Sequence, residues 1–574
     1  MTAEPLPRPA APARPRPAAW LRRDAAPLAT LVILALLAIA PVLPAPRSTI
    51  PGWAGDSVQY VYTVGWMARA PLLGQSPFLD PRLNYPGALQ LMATDVPYVA
   101  NLAVAPATWA LGPVFGYNLV IFLSLLLSGY FTYLWALRVA GSRAGALAAG
   151  AIFLLSPFRL AHAVGHLQLV ATVGLPLFFW ALDDALTRDG RRWLQALALA
   201  GATFLVGGSS QYYLIICLVL GAGYALMVTL PDLGALARRG WATILAVLAG
   251  ALASAAPYLA IARSGVLRDY DINTTRVWSA DPLNFLLPSQ EHPLWGGLIR
   301  AAWPNTHWVE KTLYVGLVAL ALAAVAVVAA RGPLRRRVLV WAGTAALAAL
   351  FALGTDLHLG NRPLSPDHPI WLPAYYLGQL PFVGLMRVWA RFGVVTGLFV
   401  ALLAGVGATI VAARAGRQAR PALALVLALI VLDLAPMRLP VTAVGERPVD
   451  RWLAAQPPTI VAGPLPVNNT LVNYGALFAS LHHRRLMPAF MHPEHQPPEY
   501  ARYLEAGAYF PAPGTAAALR AIGVDYLLLE RKHYDGTWVP VWDEVVASLK
   551  AQGLPIIAEL DGVAVVDLRD LPRP

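Results

Sequence analysis

The chain has 574 residues, of which 57% are hydrophobic and only 13% charged, and its mean hydropathy is +0.56. A soluble protein carries about 25% charged residues, so this composition excludes a soluble globule and indicates a polytopic membrane protein. The net charge of +12 comes from arginines placed between apolar segments, which favours a topological role over nucleic-acid binding, and the single cysteine, Cys217, excludes an intramolecular disulfide.

The first part of the chain is predicted to hold a short tail followed by transmembrane helices. Residues 1–25 are rich in Pro, Ala and Arg and indicate a disordered cytoplasmic tail. The apolar run at about 26–43 is too long for a signal peptide and is predicted to be the first span. With it, eleven apolar runs approach the roughly 20 residues that a membrane-spanning helix needs. The other ten lie at 116–138, 144–160, 166–185, 193–207, 211–230, 241–262, 313–330, 337–354, 394–413 and 421–438.

Arginines in the connectors predict the orientation of the bundle. The short, arginine-containing connectors all fall on the side of the N-terminal tail, which is the positive-inside pattern of cell-membrane proteins. The long connectors then face the outside, together with everything after the last span; these are 47–115, 263–312, 355–393 and 439–574.

Two segments outside the spans have their own predictions. The stretch 98–112 is apolar but short and broken by Pro106, so we expect it to lie at the outer interface or dip into it. Residues 439–574 alternate strand-like and helix-like patterns, which predicts a small extracytoplasmic α/β domain. The expected fold class is therefore mainly α: a transmembrane bundle over 26–438 with about eleven spans, followed by that domain.

Ionisable residues at the outer ends of spans are the best candidates for function, because burying them there is costly. Asp56 opens an amphipathic helix in the first outer loop, where it either caps the helix or acts on a substrate. Asp80 and Arg82 follow in a proline-rich loop. They form a local ion pair or turn, or they contact substrate.

Two further clusters lie on later outer connectors. His162 and His166 have the i, i+4 spacing of metal ligands, but Ala163 stands where zinc proteases have Glu, which argues against zinc. With Arg159 they either bind a substrate or phosphate, or form a structural helix end. Arg387 and Arg391 have the same spacing beside Trp389, which predicts a two-pronged anion site on one helix face. The alternative is snorkelling beside an aromatic belt.

Glu310 and Lys311 precede the eighth span and form a second-tier candidate. Together with the acids at 56, 80 and 281, Glu310 leaves a divalent metal site open, although nothing in their spacing requires one.

The order of these segments resembles the GT-C superfamily of membrane glycosyltransferases. The resemblance rests on a long outer loop that opens with an acid, then NYPGALQL and LGPVFGYN, then tightly connected spans. It is shared with protein O-mannosyltransferases and lipid A aminoarabinose transferases. SPFRLAHAVGHLQL, SADPLNFLLPSQEHPLWG, EKTLYVG and LMRVWARF are also similar to a bacterial group of YfhO-like proteins. The likeness is weak but runs from about residue 30 to 570.

The resemblance implies a function. Enzymes of this superfamily transfer a sugar from a polyprenyl-phosphate donor on the outer face of the membrane, to a glycan, lipid or protein acceptor. Their catalytic base is an acid in the first outer loop, which maps to Asp56. Ser57 stands where the family usually has Glu, so another acid within 47–115 stays open as the base. The basic residue that binds phosphate maps to Arg387 or Arg391, and a single base without a covalent intermediate implies inversion at the anomeric carbon.

Two other classes compete with a glycosyltransferase. A transporter or flippase is disfavoured because the chain lacks an evident repeat and has mostly Ala, Leu and Val at its mid-span positions. A non-enzymatic envelope-assembly protein would bind polymers through its outer domain, for example through the clusters at 482–485 and 492–495.

Overall fold

The computed structural model describes residues 17–230, 232–259, 271–304, 307–381, 383–467, 484–485, 498–537 and 539–573. Over these residues the chain is mainly helical, with a small β region towards its C-terminal end. The helices before the β region are α1 Pro17–Ala38, α2 Asp56–Arg69, α3 Tyr98–Ala103, α4 Ala105–Leu111, α5 Pro113–Ala140, α6 Arg143–Leu154, α7 Pro157–His162, α8 Leu167–Val170, α9 Gly174–Thr187, α10 Arg192–Ser209, α11 Gln211–Thr229, α12 Leu233–Ala255, α13 Ile272–Arg276, α14 Gly296–Ala302, α15 Trp308–Lys311, α16 Leu317–Ala329, α17 Gly332–Ala352, α18 Pro373–Leu377, α19 Gly393–Ala415 and α20 Ala419–Asp433.

A helix lies at each of the eleven apolar runs. Five stretches of the described chain are helical, long and apolar enough to cross a membrane: 113–140, 143–162, 211–229, 237–258 and 389–433. The count of eleven spans therefore stays a prediction. Helix α1 begins at Pro17, within the predicted tail, and residues 1–16 lie outside the described residues, so the disordered tail stays a prediction.

The stretch 98–112 forms two short helices, α3 and α4, that meet at Val104, with Pro106 in the first turn of α4. Neither helix is long enough to span a bilayer. The indole nitrogen of Trp109 donates to the carbonyl of Ala68 at 2.6 Å, which ties α4 to the end of α2. The segment thus supports the first loop and adds no span, as the break at proline predicts.

Close backbone contacts at glycines hold the centre of the bundle together. A Cβ on Gly150 of α6 would lie 2.8 Å from the carbonyl oxygen of Gly129 on α5, and one on Gly405 of α19 would lie 2.9 Å from that of Gly145 on α6. Small residues let membrane helices approach this closely. These contacts therefore hold α5, α6 and α19 in fixed relation.

A pair of short strands joins the first loop to the segment that follows the last predicted span. Strand β1, Thr49–Pro51, pairs antiparallel with β6, Val441–Ala443, and Thr49 is opposite Ala443. The hydroxyl of Thr442 also donates to the carbonyl of Gly52 at 2.7 Å. These bonds fix the backbone just before α2 begins at Asp56.

The remaining residues form the predicted α/β unit. Its five-stranded sheet is formed by β7 Val461–Leu465, β8 Arg484–Arg485, β9 Tyr526–Glu530, β10 Ile556–Leu560 and β11 Val563–Asp567. The strand order is β10-β11-β9-β7-β8, in which β7 is parallel to β8 and β9 and the other pairs are antiparallel. The domain boundary at 439 stays a prediction, since β6 belongs to the pair with β1. Most of the clusters at 482–485 and 492–495 lies outside the described residues; only the backbone of Arg484–Arg485 is described, as β8. The helices of this unit are α21 Pro448–Ala454, α22 Pro498–Ala508, α23 Thr515–Ile522 and α24 Trp542–Ala551.

Two further pairs of short strands lie in predicted outer connectors: β2 Leu79–Asp80 pairs with β3 Leu89–Gln90, and β4 His358–Leu359 pairs with β5 Arg362–Pro363.

Candidate functional site

Asp56 is positioned by a glycine before it and a glycine opposite it. Gly52 has φ of +84°, and a Cβ there would lie 2.5 Å from Cβ of Val164, so only glycine lets the loop pack on the turn after α7. Across this contact, a Cβ on Gly165 would lie 3.5 Å from Cβ of Asp56. The start of α2 therefore rests directly on the turn between the two histidines.

The predicted cap role of Asp56 is not what the structure shows. Gly55 occupies the N-cap position of α2, Asp56 is the first helical residue, and no side-chain cap hydrogen bond is present at this helix. The Asp56 side chain keeps 63% of its surface accessible. Its carboxylate is thus available to another molecule.

His162 and His166 come together across a turn. Helix α7 ends at His162, and His166 precedes α8, with the two ring centroids 5.3 Å apart. Nδ1 of His162 lies 2.7 Å from the carbonyl oxygen of Phe158. Its Nε2 then faces Glu310, 3.1 Å from Oε2. The spacing correctly predicted that the rings meet, but not that the helix breaks between them.

Glu310 is the centre of the cluster. It is buried on the short helix α15, and both of its oxygens are engaged by Arg391: Nε lies 3.1 Å from Oε2 and Nη2 2.5 Å from Oε1. Burial would raise the pKa of Glu310, but the adjacent Arg391 guanidinium prevails and holds that pKa well below its usual range. Glu310 is therefore ionised and paired.

His166 links this pair to Asp56. Its Nε2 lies 3.9 Å from Oδ2 of Asp56 and 3.9 Å from Oε1 of Glu310. Burial lowers the pKa of His166 to about 3, so the ring is neutral at physiological pH. Protein surrounds Asp56 closely enough that desolvation raises the pKa of its carboxyl, and the charge of Arg387 acts in the opposite sense. Asp56 is thus a stronger base than an ordinary aspartate.

The two arginines meet the same cluster, but not on one helix face. Arg391 lies in a 3₁₀ turn, Trp389–Phe392, just before α19, whereas Arg387 precedes that turn in irregular backbone. The predicted i, i+4 helical presentation is therefore wrong. Cζ of Arg391 lies 4.3 Å from the ring centroid of Tyr212, and Cζ of the half-buried Arg387 lies 5.6 Å from that of Trp278. Aromatic faces thus support both guanidiniums.

Three side chains of the cluster could hold a metal ion. His162, His166 and Glu310 each offer a ligand atom, and these atoms lie within 4.8 Å of one another. The Nδ1 contact of His162 with a carbonyl is the kind of outer contact that orients a metal-binding histidine. Arg391 already neutralises the carboxylate, however, so a cation would have to compete with its guanidinium. Of the other acids considered for a metal, Asp80 and Asp281 are engaged in local contacts.

Asp80 and Arg82 hold the first loop together. Asp80 is fully buried; one of its oxygens accepts from Tyr62 at 2.5 Å and the other from Nε of Arg82 at 3.1 Å. Arg82 also stacks on Trp66, with Cζ 4.3 Å from the ring centroid. The structure thus shows the predicted local ion pair, and a contact of this pair with substrate stays a prediction.

Arg159 is also structural. It is completely buried, and its two terminal nitrogens donate to the carbonyls of Phe153 at 2.9 Å and of Ser124 at 2.7 Å. It thereby satisfies a carbonyl near the C-terminal end of α6 and ties that end to α5. The short helix α7 directs this side chain into the bundle, and the predicted contact with substrate stays a prediction.

The junction between α10 and α11 is part of the site, although the sequence did not single it out. Asp95 accepts from the hydroxyl of Ser210 and, at 2.9 Å, from the backbone nitrogen of Gln211, so it caps α11. The next residue, Tyr212, is the one beneath Arg391. The polar run from Gly207 to Gln211 between two apolar helices was the available signal.

Comparison with solved structures shows which fold carries this cluster. ArnT from Cupriavidus metallidurans, bound to undecaprenyl phosphate, aligns with a TM-score of 0.50 and 14% identity over 97% of this chain and 100% of its own. The arabinofuranosyltransferase AftD from Mycobacteria aligns with a TM-score of 0.57 and 14% identity over 96% of this chain, which spans 41% of the AftD chain. The chain therefore has the fold that ArnT and AftD share, in agreement with the predicted fold.

The sequence itself was compared with curated proteins and with protein families. A search of curated protein sequences finds no match. Residues 26–435, which include α2 and every member of the cluster around Glu310, match one family along their whole length. The chain therefore belongs to the family described as "Domain of unknown function (DUF6311)".

Proposed function

We propose that this chain is a membrane glycosyltransferase that moves a sugar from a polyprenyl-phosphate donor to an acceptor, with Asp56 as the catalytic base. One observation carries the proposal. An accessible carboxylate with a raised pKa lies 3.9 Å from a neutral histidine, beside a pair of arginines that are distant in sequence. A base and positive charge in one place suit the displacement of a phosphate leaving group.

The phosphate contact falls to Arg387 rather than to Arg391. Nε and Nη2 of Arg391 are already bonded to Glu310, so this guanidinium mainly holds the carboxylate in place. Arg387 is only half-buried, and its charge acts on Asp56. As the donor's C1–O bond breaks, negative charge develops on the phosphate, and a guanidinium fixed there stabilises it.

Asp56 is the best placed acid to take the proton of the acceptor. The acceptor hydroxyl oxygen forms a bond to the anomeric carbon, its proton passes to Asp56, and the polyprenyl phosphate departs with the electrons of the broken bond. Glu310 is unsuited to this step because Arg391 and His162 occupy its oxygens. A single displacement without a covalent intermediate inverts the anomeric centre, and no step here is routed through a metal.

The solved structures of the same fold support a lipid-phosphate donor. ArnT was crystallised with undecaprenyl phosphate, and AftD is an arabinofuranosyltransferase. We place the reaction at the outer face of the cell membrane, with a cytoplasmic N-terminus and an extracytoplasmic C-terminal domain. The arginine-rich connectors support that orientation.

Asp56→Asn tests the proposal. Membranes that contain equal amounts of wild type and variant are supplied with a panel of polyprenyl-phosphate sugars, and release of polyprenyl phosphate and the glycosylated product are measured. Loss of a general base lowers the rate by about 10²- to 10⁴-fold. Asp367→Asn, which removes an exposed acid from another predicted outer connector, should leave the rate unchanged. Wild-type turnover by Asp56→Asn would refute the assignment.

A further inference from the structure

Helix α14, in the predicted outer connector 263–312, has an exposed apolar side. The helix covers Gly296–Ala302, and the backbone nitrogen of Gly296 donates to the carbonyl of His292 at 2.9 Å, so the helical turn begins before Gly296. At about 100° per residue, the exposed apolar residues of this segment fall within an arc of about 120°. They are Leu294, Trp295, Leu298, Ala301 and Ala302, and the three large ones are 54%, 52% and 65% exposed. An arc of this width is typical of a helix that buries one side.

His292 fixes the start of this helix to the end of α20. Its Nδ1 lies 3.2 Å from the backbone nitrogens of Leu294 and Trp295, and its Nε2 lies 3.2 Å from the carbonyl oxygen of Asp433. Asp433 is the last residue of α20 and of the apolar stretch 389–433, which is long enough to cross a membrane. Helix α14 therefore begins at the level where α20 reaches the outer surface in the predicted topology.

The charged side of α14 faces away from the span. Nη2 of Arg300 lies 2.9 Å from the carbonyl oxygen of Gln290 and 3.3 Å from Oε1 of Glu291. The backbone carbonyl of Glu291 accepts from the nitrogen of Arg438 at 3.1 Å, and Arg438 lies beyond the end of α20, on the way to β6. Arg300 is about 160° around the helix from Leu298. The apolar side of α14 is therefore turned towards the level of the span.

An exposed aliphatic stripe on α20 ends at the same place. Leu425, Leu429 and Leu432 are exposed and lie on one face of α20, at i, i+4 and i+7. Leu432 directly precedes Asp433, whose carbonyl oxygen contacts His292. In a helix that crosses a membrane, such a stripe contacts acyl chains, and an exposed tryptophan at its end is typical of the headgroup level. The apolar side of α14 thus continues the lipid-facing surface of α20.

We infer that α14 lies in the outer leaflet of the membrane, with its apolar side among the acyl chains and Arg300 on the aqueous side. A helix of this kind buries its apolar face about 5–10 Å into the boundary between headgroups and acyl chains. The membrane is favoured over a soluble partner because the apolar side of α14 adjoins the lipid-facing stripe of α20. The contact would anchor the connector that leads to α15 and Glu310. This inference is independent of the proposed function.

Spin labelling of the full-length chain in phospholipid vesicles tests the inference. The only cysteine of the chain, Cys217, is removed by Cys217→Ala, and a nitroxide label is attached at Leu298→Cys or, in a second variant, at Ala302→Cys. Both positions are exposed, so either variant serves if the other folds poorly. The depth of the label is measured from its accessibility to oxygen, which enters lipid, and to a water-soluble nickel complex. We expect both labels to lie about 5–10 Å below the headgroup boundary.

Three matched positions calibrate the measurement. Leu425→Cys, in the exposed stripe of α20, should report lipid, and Ala547→Cys, on an exposed position of α24, should report water. Arg300→Cys removes only a surface ion pair, which contributes at most about 1 kcal/mol. Its label should lie about 10 Å shallower than that of Leu298→Cys, because a helix has about this diameter.

Each alternative gives a different result. Labels at Leu298→Cys and Ala302→Cys that the nickel complex reaches as readily as it reaches Ala547→Cys would overturn the inference. Low accessibility to both probes would overturn it too, because it would show that a second copy or another protein covers this side. Equal depths at Leu298→Cys, Ala302→Cys and Arg300→Cys would contradict the orientation of the helix. None of these measurements depends on glycosyl transfer, so this inference and the proposed function fail separately.

Discussion

Glu310→Gln should destabilise the chain strongly while leaving its shape intact. Glu310 and Arg391 are both more than nine-tenths buried, and they share two hydrogen bonds. The substitution preserves size but leaves the Arg391 guanidinium without a countercharge and turns an amide donor towards it or His162. Breaking a buried ion pair from one side costs about 3–5 kcal/mol. We expect a loss of unfolding free energy in that range.

The size of the effect depends on the unpaired charge, so removing Arg391 as well should restore stability. In Glu310→Gln/Arg391→Gln two neutral amides replace the ions and can bond to each other. We expect the double variant to recover about 1–3 kcal/mol of the loss, which is the coupling typical of residues in contact. It should not recover glycosyl transfer, because Asp56 and His166 would lose the charged groups beside them.

Unfolding free energies are measured in mixed micelles with a denaturing detergent, and transfer is assayed on the same preparations. The matched control is Glu291→Gln. Glu291 lies on a predicted outer connector and pairs with Arg300 at 3.3 Å, but the Arg300 side chain is 60% exposed. A pair of that kind contributes at most about 1 kcal/mol. If Glu310→Gln lowers the unfolding free energy no more than Glu291→Gln does, the Glu310–Arg391 pair does not organise the site.

Two other predictions follow from the geometry around Asp56. The kcat/KM of transfer should rise with pH as Asp56 loses its proton, and the midpoint should lie above the ordinary range of aspartate because desolvation raises the pKa of this carboxyl. The charge of Arg387 lowers that pKa, so Arg387→Gln should move the midpoint to higher pH. A midpoint that does not move would show that Arg387 does not act on the base. Gly52→Ala should lower the unfolding free energy by about 1–3 kcal/mol, because Gly52 has a positive φ and packs against Val164. Gly55→Ala should lower it by less than about 1 kcal/mol, because the space around its Cβ position is open. Equal losses in the two variants would contradict the packing argument.

The sequence predicted the helices better than it predicted their contacts. Apolar length and arginine placement located a helix at every predicted run, because the bilayer sets both requirements. The α/β character of the last part was also predictable from its alternating pattern. What periodicity could not show is where a helix breaks, as between His162 and His166, or where the chain enters a 3₁₀ turn, as before Arg391.

The partners of the site residues were beyond the sequence for a physical reason. Glu310, Arg391 and His162 come from three separate connectors, and only the packing of the bundle decides that they meet. A local pair such as Asp80 with Arg82 can be recognised in the sequence. Its spacing alone does not distinguish an ion pair that stabilises a loop from one that belongs to a functional site. The pairs that hold a loop and the pair that builds the site therefore look alike until their contacts are known.

The arrangement also explains why a buried ion pair is kept beside the proposed base. Replacing such a pair with apolar groups is often neutral or stabilising, so stability alone does not account for it. Here the paired Glu310 fixes His162 at 3.1 Å and lies 3.9 Å from His166, which remains neutral and borders Asp56. Asp56 consequently faces a neighbour that does not neutralise it as a charged histidine would. The pKa of Asp56 stays raised by desolvation, and the positive charge that opposes this shift comes from Arg387.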